Sequence, residues 1–63
     1  MLDVLKDGPF RYIHCRATGE LILTLQRVSG GFVNVDHATK PRTLREWKAV
    51  ARKRIGARLI TDQ

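Results

Sequence analysis

The chain has 63 residues, with twelve Lys and Arg against six Asp and Glu, for a net charge of +6. That length allows a single domain, residues 1–63, and argues against an enzyme, because a pocket of ordinary size is hard to carve from so small a core. No apolar run approaches the roughly 18–20 residues that span a bilayer, the start MLDVLKDGPF lacks the order of a secretory signal, and the lone Cys15 excludes an internal disulfide, so the expected setting is a reducing cytoplasm with no membrane contact.

Residues 1–9 read either as one helical turn through Leu2, Val4 and Leu5 or as a flexible, strand-like N-terminal segment, broken by Gly8-Pro9. Residues 10–17 (FRYIHCRA) and 20–28 (ELILTLQRV) read as strands joined by a tight Thr18-Gly19 turn. Pairing Ala17 with Glu20 sets Phe10, Tyr12, His14 and Arg16 on the face of Leu21, Leu23, Leu25 and Arg27. Arg11, Ile13 and Cys15 then share the other face with Ile22, Thr24 and Gln26. Ser29-Gly30-Gly31 leads into a third strand, FVNVDH at 32–37. A two-residue turn there would put Asn34 and Asp36 among the leucines. A three-residue loop puts Val33 and Val35 there instead, and the hydrophobic pattern selects it.

The helix start is the sharpest local signal. Thr43-Leu-Arg-Glu46 matches a capping box, with Pro41 just before it. At 100° per residue, Leu44, Trp47, Ala51 and Ile55 form one apolar stripe with Val50 at its margin. Gly56 suits a C-cap, and RLIT (58–61) suits a short final strand or a packed tail. The expected class is α+β: a three-stranded antiparallel sheet on one C-terminal amphipathic helix. The expected core is Phe10, Tyr12, Leu21, Leu23, Leu25, Val33, Val35, Leu44, Trp47, Ala51 and Ile55.

The charge is strongly polarised. Residues 1–38 hold four bases and four acids, 4 − 4 = 0, whereas residues 39–63 hold eight bases and two acids, 8 − 2 = +6. Lys40, Arg42, Arg45, Lys48, Arg52 and Lys53 gather on the helix and its approach. A one-signed basic face predicts a polyanionic partner, DNA or RNA, held through phosphates. On the open side of the sheet the expected registers align Arg11, Gln26 and Asn34, the residue types that pair with base edges, with Phe32 beside them to stack. Three-stranded sheets on one helix enter the major groove in some DNA-binding domains, an analogy of fold alone.

The expected function is thus a small nucleic-acid-binding regulator, of the kind a phage or mobile element encodes. The rival reading is a small inhibitor or adaptor whose arginines meet an acidic protein surface. Ile13, Ile22, Val28 and Phe32 would give that reading an apolar centre, and also offer a surface to a second copy of the chain. A nuclease toxin ranks third, since only His14 and His37 suit acid–base work and no motif joins them. His14 and Cys15 are strand neighbours and point to opposite faces, so no metal site, cofactor or catalytic residue is assigned. Cys15 reads as a small filler on the open face.

Overall fold

The computed structural model of the chain describes residues 1–36 and 40–61. Four strands and a helix follow in order: β1 (Leu2–Asp7), β2 (Phe10–Cys15), β3 (Leu21–Val28), β4 (Gly31–Asn34) and α1 (Leu44–Thr61). The strands form one antiparallel sheet in the order β1-β2-β3-β4. The class is α+β, as expected, but the sheet has four strands where three were expected. The added strand is the N-terminal segment. Leu2 and Val4 face the helix side and pack on the core, while Asp3 and Leu5 alternate outward. Asp7 pairs with Phe10 across Gly8-Pro9. Gly8, at φ 58, holds the first central position of that turn, which the II′ geometry reserves for glycine. Leu2, Val4 and Leu5 fit one helical turn equally well, so spacing alone leaves this segment open.

The β2–β3 connection differs from the expected tight turn. Residues 16–19 form the loop, closed by Cys15 N–H donating to the Glu20 carbonyl (2.9 Å) and Gly19 N–H donating to the Cys15 carbonyl (2.7 Å). The register then shifts between Ile13 and His14: His14 faces Leu21, but Ile13 faces Leu23 and Arg11 faces Leu25. A longer loop plus a bulge moves the pairing by one residue, and a one-residue move exchanges the faces. Arg11, Ile13 and Cys15 therefore join the leucines on the helix side. Phe10 and Tyr12, expected in the core, lie half-buried on the outer face with His14, and Leu21 lies there too, 48% exposed.

The β3–β4 turn is also corrected. It has two residues, Ser29-Gly30, so Val28 pairs with Gly31 and Leu25 with Asn34. The backbone of residues 40–43 overrides the hydrophobic pattern. Phe32 and Arg42 exchange two backbone hydrogen bonds, Phe32 N–H to the Arg42 carbonyl (2.8 Å) and Arg42 N–H to the Phe32 carbonyl (2.9 Å). Gly31 lies so close to this strap that a Cβ would stand 2.5 Å from the Arg42 carbonyl oxygen, and its φ is 138. Phe32 consequently faces the helix and packs against the core, not the open face. Val33 turns outward, and Val35 is 50% exposed. Asn34 is tolerated inside because its side-chain oxygen accepts the Asp36 N–H (3.0 Å).

The capping box forms as expected. The Thr43 hydroxyl accepts the Glu46 N–H (3.2 Å), and Glu46 accepts the Thr43 N–H (3.1 Å). The helix does not stop at Gly56: it runs through residues 58–61 to Thr61, with no final strand. A glycine near a helix end lowers helix propensity without forcing a stop. The core is Ile13, Leu23, Leu25, Trp47 and Ala51, with Leu2, Val4, Ile22, Phe32, Leu44 and Val50 packed around it. Cys15 is buried on the same side, not on the open face. Trp47 donates its indole N–H to the Phe32 carbonyl (2.8 Å), which satisfies its one polar atom.

Candidate nucleic-acid interface

Trp47 and Ala51 face the sheet, and this fixes where the other helix side chains point. At 100° per residue, Arg45, Lys48 and Arg52 fall within about 60° of one another on the flank beside the apolar stripe, and Lys53 stands about 80° further round toward solvent. Arg45, Arg52 and Lys53 are exposed, and Lys48 is half-buried. Among the described residues the ion pair is that of Arg16 with Asp3 (2.7 Å), in the β-sheet part of the chain, and none engages these four cations. The one acid of the first helical turn, Glu46, is bound to Thr43. Backbone and hydroxyl donors of Thr43 hold the Glu46 carboxyl below its ordinary value, so it stays ionised while committed to the cap.

Lys40 and Arg42 lie on the approach to the helix, both exposed. The Arg42 backbone is bound to Phe32, and its guanidinium sits over the Trp47 ring, 5.3 Å from the centroid. This cation–π contact orients the charge at the helix start without neutralising it. Six expected phosphate-binding residues thus belong to one continuous stretch of backbone from strap to helix.

The expected base-reading row does not form. Gln26 is exposed and outward, whereas Arg11 (9% exposed) and Asn34 (5%) are buried on the helix side. The register shift in β2 and the two-residue turn before β4 each flip one of them. Arg11 has structural bonds instead: its Nη1 donates to the carbonyls of Gly8 (2.9 Å) and Phe10 (2.8 Å), and its guanidinium lies over Phe32 at 5.4 Å. These contacts explain how a charged side chain is accommodated beside the core. The same shift exposes a pair that the sequence reading had buried. The rings of Phe10 and Tyr12 stack on the outer face with centroids 6.4 Å apart and planes at 22°. The Arg-x-Ile-x-Cys and Phe-x-Tyr-x-His alternations of one strand are both half apolar, so only the loop length and bulge decide between them.

His14 is half-buried on the outer face, and His37 lies outside the described residues. Among the described residues no group of three potential metal ligands comes together. The Thr18 hydroxyl, by hydrogen bonding, holds the Cys15 thiol below its ordinary value, but that thiol is buried. No helix among the described residues is long and apolar enough to cross a membrane. Comparison with protein-family models, with curated proteins and with solved structures finds no match to this chain.

Proposed function

We propose that the protein binds nucleic acid, as a small regulator, through the phosphates along α1. The observation that carries this reading is the group of Arg45, Lys48 and Arg52 on one helix flank, with no carboxylate partner among the described residues. Lys53 extends it outward, and Lys40 and Arg42 extend it to the strap. Cations with no carboxylate partner among the described residues are available to replace the counterions condensed on a phosphate backbone. A rigid helix presents them at fixed spacing, which lowers the ordering cost of binding. Because Arg11 and Asn34 are committed elsewhere, the sheet makes no base-reading contribution, and binding is general rather than sequence-selective.

The test is fluorescence anisotropy with short duplex DNA, single-stranded DNA and RNA at about 50 mM salt, where phosphate contacts are strong. Arg52→Ala should weaken binding several-fold, by about the same factor for every sequence. Gln26→Ala should leave affinity within about twofold of wild type. No binding at low salt, or a Gln26→Ala effect as large as that of Arg52→Ala, rejects the reading.

A further inference from the structure

The helix covers one face of the sheet by packing on β2 and β3. No element among the described residues covers the other face, and it is more apolar than solvent exposure requires. Leu5 is 58% exposed there and Leu21 48%. Tyr12 pairs with Leu5 on one side, and His14, next on its face, pairs with Leu21. Phe10 stacks on Tyr12 from the other end, with Val33 in its row. The registers place Asp7, Phe10, Gln26 and Val33 in one row and Leu5, Tyr12 and Thr24 in the next. Among the described residues the charges of this face are Asp7 and the Asp3–Arg16 ion pair, with His14 paired opposite Asp3. Lys6, Arg11 and Arg27 alternate to the helix side.

We propose that this outer face is the interface of a homodimer, in which two copies pack sheet against sheet around Tyr12, Phe10, Leu5 and Leu21. Charge selects this occupant over nucleic acid. A polyanion would meet Asp7 and, among the described residues, no cation outside the Arg16 pair. Charge also selects this geometry over pairing through the bare edge of β1. Edge pairing would set both basic helices side by side on one face. Back-to-back packing keeps two sheets between them, farther apart than the Debye length of about 10 Å at 0.1 M salt. The size fits as well. Four strands about 4.8 Å apart and about 20 Å long give a footprint of roughly 400 Å² per copy. Side-chain relief raises the accessible area buried to the order of 1,000–1,200 Å² in total, near the lower bound of specific interfaces. Aromatic side chains at the centre with Thr24, Gln26 and Asp7 around them match the usual layout of such a patch. The dimer would present a basic helix at each end, so that two nucleic-acid segments, or two turns of one, are held together.

The experiment is sedimentation equilibrium on the full chain across a concentration series reaching about 1 mM, the weak end of protein affinities. Far-UV circular dichroism confirms that each variant is folded. Wild type should show twice the 7.2 kDa monomer mass in the upper part of the range. Tyr12→Lys should raise the dimer dissociation constant by about tenfold or more. Val4→Pro, whose N–H on edge strand β1 points away from β2, should leave it unchanged. A folded wild type that stays monomeric throughout overturns the proposal. So does a dimer that Val4→Pro splits and Tyr12→Lys does not, which would assign the edge. A monomer in which Tyr12→Lys abolishes binding to oligo(dT) also overturns it and gives the face to bases. The mass readouts do not depend on whether α1 binds phosphate, so a failure of the dimer is distinguishable from a failure of the phosphate reading.

Discussion

The helix and the sheet of this protein were specified by different kinds of information. In α1 the determinants of the start and of the buried stripe are local. Thr43 and Glu46 are three residues apart and cap one another. Leu44, Trp47 and Ala51 recur at the helical period and meet the sheet. The flank left for Arg45, Lys48 and Arg52 then follows from geometry. In the sheet the determinant is the count of residues in two turns and one bulge. That count depends on contacts far along the chain, above all the strap at Arg42 that meets Phe32 and Gly31. Periodicity tells which residues share a face within a strand, but not which strand face meets the core when both are half apolar.

The sharpest way to break the helix half is Trp47→Ala. It removes the largest buried side chain and its bond to the Phe32 carbonyl. The expected loss is about 3–5 kcal/mol, enough to unfold a domain of this size. Urea denaturation followed by circular dichroism measures it, and unchanged stability would mean that the helix docks elsewhere.

The sheet half is tested by a pair of neighbours. Ile13 is fully buried, and Tyr12 stands on the outer face. Ile13→Ala should cost about 2–4 kcal/mol. Tyr12→Ala, measured at a dilution where the chain is monomeric, should cost about 1 kcal/mol or less, as surface changes do. The register expected from the hydrophobic pattern predicts the reverse order, so the comparison decides the register directly.

A smaller effect comes from the cap. Thr43→Ala removes the hydroxyl that accepts the Glu46 N–H and should cost about 1 kcal/mol in the same assay. The smallest is the pH dependence of that cap. The folded Glu46 carboxyl lies below its ordinary value because Thr43 donates to it. Its contribution is therefore complete above the unfolded value and disappears as pH falls through the depressed folded value. Glu46→Gln keeps an acceptor without titrating. The difference in stability between Glu46→Gln and wild type should thus change on acidification and level off once the carboxyl is protonated. A difference independent of pH would show that the carboxylate is not bound in the cap.

These contrasts explain what was legible beforehand. The α+β class, the C-terminal helix, its cap and Leu23, Leu25, Leu44, Trp47 and Ala51 as interior residues could be read from spacing alone. The helix-borne cations lie where that spacing put them. Phe10, Arg11 and Tyr12 were misplaced together, since a single-residue shift in register exchanges all side chains of a strand at once; the two-residue turn before β4 did the same to Asn34. No composition rule signals such a shift when the alternating sets are Arg-Ile-Cys and Phe-Tyr-His. The N-terminal strand was obscured for another reason: six residues with three charges gain their stability from pairing with β2, which no local pattern displays.

The central claim is that the flank of α1 neutralises phosphates. It is tested most directly by the salt dependence of duplex DNA binding for wild type and for the triple variant Arg45→Ala, Lys48→Ala, Arg52→Ala. Five or six contacts predict a slope of log K against log salt of about −5 for wild type, and removing three should bring it to about −2. Equal slopes for the two proteins, with the triple variant folded, would contradict the account.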